Sequence, residues 1–112
     1  QVFQTILGSS SKAFREVVLI EYPRKGLWAI AFITSETKGE VYGKLKNKSV
    51  NVFLPTTPNP TSGFMLFVPI KDIIRLQMNI EQGMKLVISG GIITPEYKKK
   101  KENKKIKLNR QK

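Results

Sequence analysis

Residues 13–34 read AFREVVLIEYPRKGLWAIAFIT. Two runs rich in β-branched and aromatic residues, 13–22 and 27–34, flank a short segment in which Pro23 sets φ for a turn and Gly26 can complete it. That pattern predicts an antiparallel hairpin with a short loop. On the second run Trp28, Ile30 and Phe32 share one face, and Leu27, Ala29, Ala31 and Ile33 share the other. Both faces are apolar, which marks a central strand, with a helix expected close over the alanines and another layer or a partner over the large residues.

Downstream, residues 35–48 are polar, contain Gly39 and Gly43, and read as a long connection. Val50, Val52 and Leu54 alternate into a third strand, and Phe64 to Val68 supplies a fourth. The linking segment PTTPNPTSG holds Pro55, Pro58 and Pro60, so it is expected to be a rigid loop closed by Ser62-Gly63. After Pro69, the spacing of Ile70, Ile73, Ile74 and Met78 predicts a helix. Asn79 and Gln82 form a capping-box pair for a second helix whose apolar face is Ile80, Met84, Val87 and Ile88, and Gly90-Gly91 stops it. Ile92 to Thr94 is expected as a short edge strand before Pro95. The expected fold is therefore α+β, a mainly antiparallel four- to five-stranded sheet with two short C-terminal helices, 70–78 and 80–89, packed on it.

The chain has 112 residues and a formal charge of +12, with no His and no Cys. Disulfides, thiolate and imidazole metal sites, Cys nucleophiles and His-based triads are thereby excluded. The excess charge is concentrated from Lys98 to Lys112, where KKKKENKKIKLNRQK opposes only Glu102 to its basic residues. A block of like charge with two large apolar residues, Ile106 and Leu108, cannot offset its chain entropy, so 97–112 is expected to be a disordered basic tail. Val2, Phe3, Ile6 and Leu7 have helical spacing, so 1–12 is expected as the end of a linker helix whose earlier part is missing, leaving 13–96 as the domain. No run reaches the ~20 apolar residues of a membrane-spanning helix.

Little in the sequence suggests catalysis. Ser9 and Lys12 satisfy S-x-x-K, but the companion motifs of that chemistry are absent. GEVYGK at 39–44 has too few residues between its glycines for a phosphate loop. Glu21, beside Arg24 and Lys25, is expected in an ion pair that fixes the hairpin. No catalytic residue, metal site or cofactor is assigned. Thr56, Thr57, Asn59, Thr61 and Ser62 place hydroxyls and an amide on the Pro-stiffened loop, either as a preorganised binding surface or as partners for the loop's own backbone. Lys98, Lys99, Lys100, Lys101, Lys104 and Lys105 are the candidate electrostatic contacts.

Residues 54–96, LPTTPNPTSGFMLFVPIKDIIRLQMNIEQGMKLVISGGIITPE, with FREVVLIEYPRKG at 14–26 and the GLWAIAFIT that follows, resemble the domain of unknown function shared by bacterial two-pass membrane proteins and the plant CONTINUOUS VASCULAR RING (Like-COV) proteins. The resemblance implies two transmembrane helices ahead of Gln1 in the intact protein, with this chain the water-exposed domain after them. The family usually carries acidic residues where Arg75 and Gln77 stand, and Ala at position 83.

Together these features lead us to expect a non-enzymatic interaction or scaffold domain of a membrane-anchored protein, in membrane or envelope organisation and, for the plant relatives, trafficking. The intact protein is expected at the cytoplasmic face of a bacterial inner membrane, with this chain by itself soluble. Expected partners are an unidentified protein, an anionic membrane surface met by the tail, and a second copy of the chain. Nucleic acid bound through the tail is the alternative.

Overall fold

The computed structural model describes residues 14–98. Its elements follow in the order β1 (Glu16–Glu21), β2 (Trp28–Glu36), α1 (Gly39–Leu45), β3 (Ser49–Pro55), β4 (Gly63–Pro69), a 3-10 turn (Ile70–Asp72), β5 (Ile74–Arg75) and α2 (Ile80–Ile88). The strands form one antiparallel sheet in the order β4-β3-β2-β1-β5. The expected α+β class, the hairpin of β1 and β2 and the central position of β2 are all present.

The sheet cannot be flat. Its edge strands β4 and β5 are joined by residues 70–73, three of them in the 3-10 turn. Four interstrand spacings would separate the edges of a flat sheet by about 19 Å, whereas 3-10 residues advance only about 2 Å each. The sheet therefore curls into a partly open barrel. Its interior is one apolar cluster in which Val18 and Ile20 of β1, Ala31 and Ile33 of β2 and Val50, Val52 and Leu54 of β3 are buried, with Leu66 and Val68 of β4 packed against them.

Helix α2 covers the outer face. Val87 is buried with Val17 and Phe32, flanked by Ile80, Met84, Phe14 and Phe53. Phe14 stacks on both Phe32 and Phe53, with ring centroids 5.3 and 5.8 Å apart. The helix thus lies over the Phe32 face of β2, not over the alanines as expected. Ala29 and Ala31 instead line the inside of the curl, where small side chains suit a concave surface closed by the sheet itself.

Three local expectations are corrected. Residues 70–78 are not a helix, because the outward backbone groups of β1 need partners. Ile74 and Arg75 pair with Leu19 and Val18, and Leu76 N–H donates to the Val17 carbonyl at 3.0 Å. The polar connection contains α1, which buries none of its residues and is closed by Lys46 at φ 62°, whose N–H reaches the Tyr42 carbonyl. Residues 92–94 form no strand; Ile93 N–H and Thr94 Oγ1 bond to Ser89 Oγ and the Gly91 carbonyl of the preceding turn.

Between Ile33 and Ser35 the pairing of β2 with β3 shifts by a bulge. Asn51 pins it, its amide donating to Ser35 Oγ at 2.9 Å and its Oδ1 accepting from Thr37 Oγ1 at 2.8 Å.

Candidate interaction surface at the loop end of the barrel

β1 and β3 run in the same direction, so the β1–β2 turn and the β3–β4 loop emerge at one end of the barrel. β5 runs away from that end and α2 runs back to it. The proximity is direct: the Tyr22 and Phe64 rings lie 6.2 Å apart, and a Cβ on Gly90 would stand 3.7 Å from Thr57 Cγ2. The EYPRKG, PTTPNPTSGF and ISGG segments, scattered in the sequence, thus meet in space. Gly90 and Gly91 adopt φ 66° and 92°, and Gly91 N–H closes the helix end onto the Leu86 carbonyl.

The β3–β4 loop is held by its own polar groups. Thr56 Oγ1 donates to the carbonyl of Asn59 at 2.6 Å, and Thr56 N–H to that of Ser62 at 2.9 Å. Asn59 Oδ1 accepts from both the N–H and the hydroxyl of Thr61, at 3.1 and 2.6 Å. Of the five loop residues singled out by sequence, Thr56, Asn59 and Thr61 therefore use their side chains to shape the loop. Thr57 faces the Gly90 turn, and Ser62 contributes its carbonyl to the loop closure. The loop itself exposes Thr56, Thr57, Pro58, Asn59 and Ser62, and at the same end of the barrel Phe64, Leu27 and Trp28 are exposed, as are Arg24 and Lys25 of the β1–β2 turn.

Glu21 does not pair with Arg24 or Lys25. Its carboxylate accepts the Gly26 N–H at 3.1 Å, a bond that closes the turn from within. The ion pairs seen are instead Arg75 with Glu16, across β5 and β1, and Lys85 with Glu81 along α2. A cleft of about 390 Å³ lies between Ile20, Arg24 and Lys25 on one side and Leu66, Phe67 and Val68 on the other. A second, of about 320 Å³, sits at the opposite end among Thr37, Lys38, Tyr42, Lys48 and Ile70. Among the described residues no three acidic side chains converge as a metal site would require. Lys98 is exposed; Lys99, Lys100, Lys101, Lys104 and Lys105, like Ser9, Lys12 and the expected linker helix, lie outside the described residues.

Against known families, residues 1–62 match a family model described as a protein of unknown function, DUF502. The chain belongs to that family. Curated relatives from Arabidopsis thaliana agree: Protein LIKE COV 1 and Protein CONTINUOUS VASCULAR RING 1 are each 33% identical over 87 residues, and Protein LIKE COV 3 is 36% identical over 88. These matches cover 78%, 78% and 77% of this chain and 33%, 32% and 31% of the respective relatives, so the chain spans about a third of their length. No solved structure matches. Among the described residues no helix is long and apolar enough to cross a membrane. For this DUF502 chain, sequence reasoning had marked the Pro-rich loop by its composition. It missed the convergence with Tyr22 and Gly90, for which the available signal was strand direction: alternate turns of an antiparallel meander share an end.

Proposed function

We propose that this domain acts by contact, as a non-enzymatic interaction or scaffold module of a membrane-anchored protein, and that the loop end of the barrel is its contact surface. The observation that carries this reading is the internally bonded Pro-rich loop beside exposed Phe64, Leu27, Arg24 and Lys25. A surface whose shape is fixed before binding loses little ordering entropy when a partner arrives. The exposed groups suit a protein partner that offers apolar and acidic side chains. The intact protein would work at the cytoplasmic face of a bacterial inner membrane, in membrane or envelope organisation, with trafficking the corresponding role of the plant relatives. Crosslinking in cells with the full-length protein tests this: Arg24→Glu with Phe64→Ser should abolish the partner bands while leaving expression unchanged. Identical bands would refute the surface.

A second reading is favoured by the charge of the tail, +8 of the chain's +12, which could bind RNA through counterion release. Removal of residues 98–112 separates the two electrostatic partners. Loss of binding to anionic vesicles with no RNA binding in either form supports a membrane-facing tail. Loss of RNA binding with vesicle association untouched supports nucleic acid.

A further inference from the structure

Among the described residues β4 is an edge strand and pairs only with β3. The register settles where its backbone groups point. Thr56 N–H reaches the Ser62 carbonyl and Ile70 N–H the Lys48 carbonyl. In the same register, Phe64, Leu66 and Val68 exchange hydrogen bonds with Leu54, Val52 and Val50. The N–H groups of Gly63, Met65 and Phe67, and the carbonyls of those residues and Pro69, therefore point to the open edge.

Apart from Pro69 at its end, this edge lacks the usual protection. Natural edge strands carry lysines, bulges or inward charges that block further pairing; residues 60–70 contain no charged residue in a chain of +12. Phe64, Met65 and Phe67 are 55%, 60% and 40% exposed. The cleft beside β4 separates Phe67 and Val68 from Arg24 and Lys25, so the chain's own turn does not pair with the strand.

We propose that β4 pairs antiparallel with β4 of a second copy, about a two-fold axis at Leu66. In that register Met65 of each copy lies opposite Phe67 of the other and the two exchange both N–H···O=C bonds, while each Gly63 N–H meets the other copy's Pro69 carbonyl. The missing N–H of Pro69 then costs nothing on its own strand and ends the ladder. Met65 and Phe67 lie on the face of Phe53, so the two copies join their apolar rows into one. β4 itself brings no charge to the seam, although Arg24 and Lys25 line the cleft beside it. Met65 and Phe67 offer roughly 200 Å² per copy, taking about 200 Å² for each whole side chain, against the ~800 Å² per partner of a standard stable interface. The pairing is accordingly weak and concentration-dependent. It is independent of what the loop end binds.

Sedimentation equilibrium of the 112-residue chain tests it. The apparent mass should rise towards twice the monomer value between about 10 µM and about 1 mM, the range of a weak interface. Amide exchange at Met65 and Phe67 should slow over the same range while Leu66, already bonded to β3, does not change. Met65→Pro removes an outward N–H that β3 does not use and should leave a folded monomer at every concentration. Phe67→Lys should do the same by charge, and it decides the matter if the proline variant does not fold. A wild type that stays monomeric throughout, or a dimer that survives Phe67→Lys, would overturn the proposal.

Discussion

Gly63 lies against the backbone of Leu54 so tightly that a Cβ added to it would stand 2.1 Å from the Leu54 carbonyl oxygen and 2.9 Å from its carbon. The glycine that ends the Pro-rich loop is thus required by close approach, since β4 must return beside β3 one residue after Ser62 closes the loop. Gly63→Ala forces backbone apart where the loop and both strands meet. We predict a loss of about 3 kcal/mol, at the upper end of overpacking costs, read as a lower urea midpoint with an unchanged slope.

At Gly83 the same test gives a softer answer. A Cβ there would lie 3.0 Å from Val17 Cγ2 and 3.1 Å from Phe32 Cε1, both side-chain atoms. Alanine gains about 1 kcal/mol of helix propensity and loses a similar amount to crowding, so Gly83→Ala should change stability by less than about 1 kcal/mol. Gly83→Leu should cost about 3 kcal/mol. Combining Val17→Ala with Gly83→Ala should cost less than the sum of the single changes, a coupling readable in a denaturation cycle.

The Ala that the family resemblance implies at position 83 fits a site that tolerates one methyl group. It also shows what kind of information a sequence carries. The hairpin of β1 and β2 was legible because alternation, Pro23 and Gly26 are local, and α2 because Asn79 and Gln82 sit at the spacing that its cap uses. Residues 70–78 were not, since apolar residues at 70, 73 and 74 fit a helix as well as a strand. What decides between them is the open edge of β1, more than fifty residues away. α1 has no buried face and so leaves no periodic signal. The covering of Phe32 rather than Ala31 by α2 depends on the direction in which the sheet curls, a property of all five strands together. At the candidate surface, the composition of PTTPNPTSG set it apart, but its assembly with Tyr22 and Gly90 is a consequence of topology.

The cap of α2 gives a third prediction. Asn79 Oδ1 accepts from Gln82 N–H at 2.8 Å, and Gln82 Oε1 accepts from Asn79 N–H at 2.9 Å. Asn79→Ala leaves the Gln82 N–H without its acceptor and should cost about 1 kcal/mol. Asn79→Asp keeps the acceptor and adds a charge favourable to the helix N-terminus, so its thermal midpoint should match or exceed that of the wild type.

The bulge on β2 should prove more sensitive than the exposed cap. Asn51 answers Ser35 and Thr37 at once from a half-buried position, and Thr37 is itself buried. Asn51→Ala strands the Thr37 hydroxyl without its acceptor, and an unsatisfied buried group costs about 1 to 3 kcal/mol. Asn51→Asp keeps the acceptor for Thr37 and loses only the donor to Ser35. We expect it to recover part of the loss, with the difference measured by urea denaturation.

Asn59 separates loop shape from fold stability. Its Oδ1 bonds only within the exposed loop, to Thr61, so Asn59→Ala should lower stability by no more than about 1 kcal/mol. For a domain of this size that corresponds to a fall of roughly 4 to 8 °C in Tm. If the loop end is a contact surface fixed in advance, the same substitution should weaken partner crosslinking by much more than this modest change in stability would suggest, because a loosened loop must be ordered again on binding. Asn59→Asp, which retains the acceptor for both Thr61 donors, should restore crosslinking. Crosslinking that tracks Tm alone across the three proteins would assign the loop a purely structural role.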